Sequence, residues 1–381
     1  MKIPFIKPST KDYGNYKVVN CEVTGNKAID SDDFHLRFRR SDGLTLKWGK
    51  TPKDDPTHCP FGPEIADVEI TKACRGIRDT AGNRSVCAHC YKSNKPEGSY
   101  MSLETFKTVF HHLTKAQTLT QIAFGVDAEA SEDLNPDIWK IFAYCKENGI
   151  TPNVTVADIT PYTAEKIVEY CGAVAVSFYP TIDKNRCYDA VELLGTVAES
   201  RGKDMKVNIH ALLAQETLPY FDELIEDIAN DDRLSKLNAV VMLSLKQKGR
   251  GVHFNRVTED EFEVLIDKMI KNNVSYGMDS CTAPKFLAYI NKHPDMAFLK
   301  TYIEPCESLL FSIYVNCEGI VYPCSFAEKE SGTKLGGGIS LLTVEDFDKE
   351  VWNSHLVNAY RNEAFCKISK DGCNSCPFFN V

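Results

Sequence analysis

No stretch of the chain approaches the roughly 20 apolar residues that a membrane-spanning helix needs. The opening MKIPFIKPSTKDYG lacks the apolar core of a secretory signal. Internal repeats, low-complexity tracts and long flexible linkers are missing as well. Basic charge is scarce: 44 Lys and Arg stand against 53 Asp and Glu, a formal net charge of −9 at pH 7. That balance argues against a general nucleic-acid binder or a membrane-surface protein, and a cytoplasmic chain is expected. At 381 residues, 43% of them hydrophobic, the chain is long enough for one large domain and a smaller one.

Cysteine, by contrast, is abundant, with 15 in all. Disulfides do not persist in a reducing compartment, and the count is odd. Metal binding, catalysis and core packing are therefore left to share them.

Residues 1–63 are polar and rich in turn formers, an N-terminal extension in which FHLRFRRSDGLTLKWGK reads as a β-hairpin around Ser41-Asp42-Gly43. From Ala66 a rhythm begins. ADVEITKAC, QIAFGVDAE, TPNVTVADI, AVAVSFYP, KVNIHALLA, AVVMLSLK and VSYGMDS read as strands, and amphipathic helices fill the intervals between most of them. Such a succession of βα units over 64–285 implies a parallel sheet, either a barrel or a doubly wound layer. After Cys281 the pattern changes. LLFSIYVNCEGIVYPC reads as a hairpin, DFDKEVWNSHLVNAYRNE as a helix, and CKISKDGCNSCPFF closes a small cysteine-rich segment, 286–381. A metal staple would make up for its thin core.

Cys74 ends the first strand of the array, and Cys87 and Cys90 follow in the next loop as C-x12-C-x2-C. In parallel α/β sheets the loops after the strands' carboxyl ends build the active site. Three thiolates with no fourth nearby suit a four-iron cluster with one iron left open. That iron can chelate the amino and carboxylate groups of S-adenosylmethionine (SAM), whose reductive cleavage gives a 5′-deoxyadenosyl radical. A zinc knuckle completed by His89 or another cysteine is the competing reading.

These residues resemble the radical SAM superfamily. The usual spacing there is C-x3-C-x2-C with an aromatic residue before the last cysteine; this chain has twelve residues in the first gap and His89 in that place. The resemblance implies an α/β fold with a partial (βα)6 TIM-like barrel over 64–285. It also implies SAM contacts from Gly125, Asp127 and Glu129, which strand periodicity puts on one face of QIAFGVDAE. Ser177 at the end of the fourth strand, Asn208 and His210 on one face of the fifth, and the backbone of LSLKQKGRG complete the expected set.

Downstream, Cys306 and Cys324 form C-x12-G-x4-C, and Cys373 with Cys376 form C-x2-C. Four thiolates close a four-iron cluster completely. The arrangement resembles the SPASM/twitch domain that follows many radical SAM cores, in its one-cluster form; a four-cysteine zinc site is the alternative. Helical position puts Cys145, Cys171 and Cys187 in the core. Cys21 and Cys59 show no partner spacing, and Cys317 and Cys366 are unassigned. For Cys281 three readings stay open: catalytic thiol, ligand of an additional cluster, or packed bystander.

A closed auxiliary cluster has no iron free for substrate and suits uptake or relay of electrons. The expected chemistry is therefore hydrogen abstraction from an unactivated carbon leading to net oxidation or cross-linking, and the resemblance implies a peptide or protein side chain as its substrate. A small sugar or alcohol is the alternative substrate, and an electron donor such as flavodoxin or ferredoxin is implied. The reading from another class is a zinc-stabilised α/β binding protein.

Overall fold

The computed structural model describes residues 8–371 other than 22, 305, 329–334 and 336, and only the backbone of 364–371. Short strands open the chain: β1 (Ser9–Asp12), β2 (Lys17–Asn20), β3 (Lys27–Asp30), β4 (His35–Arg39) and β5 (Leu44–Trp48), with alternating burial in β3 and β4. They form a five-stranded antiparallel meander. Its last hairpin pairs Arg39 with Leu44 across the expected turn. Val18, Ile29, Leu36 and Phe38 point inward and are buried. The sequence showed only this hairpin, because strands of four polar-rich residues give too short an alternation to separate from loop. Tyr16 and Lys27 tie the meander to the βα array. The Tyr16 hydroxyl donates to the Ala116 carbonyl at 3.0 Å, and the buried Lys27 donates to the Leu119 carbonyl.

The array runs β6 (Ile65–Glu69), a two-residue-strand hairpin of β7 (Ile77–Arg78) and β8 (Arg84–Ser85), α1 (Leu103–Thr114), β9 (Gln121–Gly125), α2 (Ile138–Glu147) and β10 (Thr151–Val156). It continues with α3 (Pro161–Tyr170), β11 (Ala173–Ser177), α4 (Pro180–Ser200), β12 (Lys206–Leu213), α5 (Leu218–Asn230), β13 (Ala239–Ser244), α6 (Glu259–Lys271), β14 (Tyr276–Met278) and α7 (Ala283–Lys292). Local chemistry sets these boundaries. Ser102 caps α1 by accepting the Thr105 amide, and Thr160 with Thr163 and Thr258 with Glu261 form capping boxes on α3 and α6. KVNIHALL alternates partly and fully buried side chains along β12, as a strand covered by helices on one face and facing a cavity on the other requires.

Strands β6, β9, β10, β11, β12, β13 and β14 pair in parallel, each beside its sequence neighbour. A doubly wound sheet would reverse order at a switch point, and this sheet keeps one unbroken order from β6 to β14. The cysteine-rich segment supplies β15 (Ser312–Val315), β16 (Ile320–Tyr322), β17 (Ile339–Ser340) and α8 (His355–Asp371). Strand β15 pairs in parallel with β6, with Tyr314 opposite Asp67, and β16 and β17 are added antiparallel, completing a ten-stranded sheet. The expected helix over DFDKEVWNSHLVNAYRNE is broken. A single wide turn covers Asp348–Trp352, and α8 starts anew after Asn353 and Ser354, where Trp352 Nε1 leaves to donate to the Cys59 carbonyl at 2.8 Å. One apolar cluster runs from Val18 and Leu36 through the large sheet to Trp352 and Val357. No helix among the described residues is long and apolar enough to cross a membrane.

Candidate active site

The carboxyl ends of the parallel strands surround a cavity of about 610 Å³. Cys74, Cys87 and Cys90 all line it, together with Gly125, Asp127, Ser177 and His210. A cavity of this size accommodates a SAM-sized ligand. Sequence spacing placed these residues at strand ends, and the fold brings them to one space.

The long first gap of the cysteine loop has a structural explanation. Its residues fold back on themselves as the β7–β8 hairpin, with Ile77 opposite Ser85, so the chain returns to the cavity before Cys87. Gly76 lies at φ +88°, and a Cβ there would collide with the Ser85 carbonyl, so the turn into the hairpin requires glycine. The Cys74 amide donates to the Lys95 carbonyl at 2.7 Å, closing the base of the loop.

Arg250 fastens the other end. Its amide donates to the Cys90 carbonyl at 3.0 Å, its Nε to the Cys87 carbonyl at 2.7 Å and its Nη1 to the Asn94 carbonyl at 3.4 Å. The preceding Gly249 lies at φ +57°, packed against the Tyr91 and Cys90 carbonyls where a side chain would collide. LSLKQKGRG thus contributes to the cavity through Leu245, Lys246 and Arg250, and also braces the cysteines. His89 stacks on Tyr179 at 5.1 Å and meets Phe254 edge-on at 5.6 Å. Burial, with help from Arg250, holds its imidazole down at about 4, so it is neutral. Burial pushes the Cys87 thiol up to about 11, against a hydrogen bond from Tyr179.

Other expected residues part company. Strand β9 stops at Gly125, so strand periodicity does not extend to Asp127 and Glu129. Gly125 and Asp127 still line the cavity, and Asp127 accepts the Ser131 amide at 2.8 Å. Glu129 does not line it. Its carboxylate receives Arg78 at 2.9 Å and Arg84 at 2.7 Å, one arginine from each strand of the hairpin insertion, and so holds that insertion instead. Asn208 lies on the same face of β12 as His210 but one step nearer the strand's start, where it accepts Asn238 Nδ2 at 2.8 Å and does not reach the cavity. His210 is kept neutral by burial, which brings its imidazole down to about 4 against a smaller opposite effect of Asp279.

Cys281 does not line the cavity either. Its thiol is hydrogen-bonded to Lys246, which lines the cavity and also pairs with Asp279. Burial lifts the Cys324 thiol to about 12, and Cys306 and Cys281, both close enough to interact with it, lift it further. Cys281 thus lies off the cavity wall and near enough to Cys324 to interact with it. Cys306 lies 3.3 Å from the Ser308 hydroxyl. Cys373 and Cys376 lie outside the described residues, as does the side chain of Cys366. Cys145, Cys171 and Cys187 are buried as expected, and so are Cys59 and Cys317.

Sequence reasoning missed a network where the cavity meets the C-terminal hairpin. Lys92, two residues after Cys90, reaches Glu69 Oε1 at 3.2 Å, the Tyr314 hydroxyl at 2.5 Å and Glu328. Asn316 donates to Glu328 at 3.1 Å, and Lys72 stands 3.4 Å from it. Tyr91, beside Cys90, packs its ring 4.4 Å from that of Phe326. The loop with Cys87 and Cys90 and the hairpin with Cys324 are thus locked together.

None of the described cysteines forms a disulfide. Among the described residues no three His, Cys, Asp or Glu side chains converge where one metal ion could sit.

No family model matches the chain, and no curated protein matches it. Its fold is similar to that of SuiB from Streptococcus suis, with a TM-score of 0.55 over 79% of this chain and 68% of that one, at 14% identity. For SuiB bound to S-adenosylmethionine the score is 0.53 over 79% of this chain and 66% of that one, at 13% identity. At such identity the likeness is one of fold.

Proposed function

We propose that this chain is a radical SAM enzyme whose cluster is held by Cys74, Cys87 and Cys90. One observation carries the reading: all three thiols line a single cavity at the carboxyl ends of a sequentially ordered parallel sheet. Bound there, such a cluster supplies the electron that splits the sulfonium of SAM into methionine and a 5′-deoxyadenosyl radical, which takes hydrogen from an unactivated carbon. The chain's own residues do the rest. Arg250 and the Cys74 amide fix the loop, so the three thiols are positioned before any ligand arrives. Gly125 leaves its strand end open to the cavity, with Asp127, Ser177 and the neutral His210 offering polar contacts for SAM.

Cys306 and Cys324, with Cys373 and Cys376, would hold an auxiliary four-iron cluster, which would supply an acceptor for the electron left after hydrogen abstraction. This supports net oxidation or cross-linking, with a peptide or protein side chain as substrate and a flavodoxin or ferredoxin as electron donor. The test is anaerobic reconstitution with iron and sulfide, followed by incubation with SAM and dithionite. Wild type should be brown and release 5′-deoxyadenosine, and Cys74→Ala should release none. Equal release by Cys74→Ala, or a colourless wild type that retains only zinc, would overturn the assignment.

A further inference from the structure

Most charges lining the cavity are already matched. Lys246 pairs with Asp279, Arg250 is spent on backbone carbonyls, Asp127 accepts backbone amides, and Lys92 is shared by Glu69 and Glu328. Asp67 is the exception. It sits in the middle of β6, with Ala123 of β9 and Tyr314 of β15 opposite it in register. Deep in a ten-stranded sheet a side chain is normally covered, yet Asp67 keeps accessible surface, because it faces the cavity beside the small Ala123. No hydrogen bond or ion pair reaches its carboxylate from the described residues. Two residues on, on the same face of the strand, Glu69 has one oxygen on Lys92 while its Oε2 is buried without a partner.

A buried acceptor without a partner, as Glu69 Oε2 is, costs a few kcal/mol, and an unpaired carboxylate facing the cavity, as Asp67 is, adds nothing to the fold. Their partner arrives with a ligand. An ammonium group brings positive charge and three donors, enough for both carboxylates, whereas a hydroxyl brings one donor and no charge. We propose that Asp67, with Glu69 Oε2 beside it, receives a protonated amine of the substrate. This rests on the reading of the cavity as the site of a radical SAM enzyme and specifies its substrate class. Enclosure, and to a smaller extent Glu307, raises the Asp67 carboxyl to about 6, which leaves it mostly ionised at neutral pH and ready for a cation.

The amine can belong to a lysyl side chain or to an aminosugar, and two probes separate these sources. Ligand-observed NMR of the full chain with N-acetyl-Gly-Lys-Gly-amide and with glucosamine, against their N-acetylated counterparts, reads binding directly. At least one amine should bind wild type in preference to its acetylated form. Asp67→Asn, which keeps the shape, should weaken that binding about tenfold or more, and Glu69→Gln should weaken it less. Equal binding of the acetylated form, undiminished binding by Asp67→Asn, binding of neither amine, or displacement of the amine by SAM would each overturn the proposal. The wider reading fails separately. Amine binding that needs Asp67 in a protein releasing no 5′-deoxyadenosine keeps the subsite and removes the radical chemistry.

Discussion

Replacing Lys92 by methionine isolates the contribution of the network between the cysteine loop and the C-terminal hairpin. The Lys92 side chain is 14% exposed, and its partners Glu69 and Glu328 are 5% and 8% exposed. Removing one partner of a buried ion pair costs about 3–5 kcal/mol, because the other is left without compensation. Lys72 still stands 3.4 Å from Glu328, which places the expected loss near the lower end. A second route gives the same size. Burial raises the Glu328 carboxyl, but Lys92, then Asn316 and Lys72, outweigh it and bring it from an ordinary 4.5 to about 2. That interval corresponds to ~3 kcal/mol of folding free energy. Because the folded value is the lower one, this stability is present above about pH 4.5 and is lost as the pH falls towards 2. Urea unfolding followed by circular dichroism should therefore show Lys92→Met less stable by about 3 kcal/mol at pH 7. The difference from wild type should shrink at pH 3.5, and adding Glu328→Gln should recover part of it at pH 7. A loss below ~1 kcal/mol at pH 7, the size of an exposed pair, or one that does not change with pH, would refute the reasoning.

Two further substitutions probe the other braces. Arg250→Met leaves the Cys87 carbonyl without its charged donor, and iron retained after reconstitution and gel filtration should fall well below the wild-type value; wild-type retention would show that the loop holds itself. Trp352→Ala empties a fully buried site and removes the hydrogen bond to the Cys59 carbonyl. It should cost about 3–5 kcal/mol in urea unfolding, and a cost under ~1 kcal/mol would mean that the turn before α8 repacks.

The order and type of the βα elements were legible because amphipathic helices and apolar strands differ in period, and because caps such as Thr258 with Glu261 mark helix starts. That Cys74, Cys87 and Cys90 follow β6 was legible from the sequence alone. Height along a strand was not. Asn208 and His210 share a face, but only the residue nearer the carboxyl end reaches the cavity, and a period-2 pattern carries no information on that. Glu129 was misplaced because its partners, Arg78 and Arg84, lie about fifty residues earlier in an insertion whose hairpin is too short to announce itself. Asp67 and Glu69 could have been noticed: two acids on the same face of a strand otherwise read as core are a signal in themselves.

The pairing of β15 with β6 also bears on how the protein is made. Strand β6 emerges early from the ribosome, yet contacts across this seam join residues such as Lys47 with Glu307, 260 positions apart, and Lys92 with Glu328, 236 apart. At about 5–20 residues per second the first strand of the wall waits on the order of 10–50 s for that neighbour. Meanwhile its edge, and the thiols beside it, stay open to other chains and to oxidants. Protection of the edge and of the thiols is therefore a matter of timing, decided when the last strands arrive.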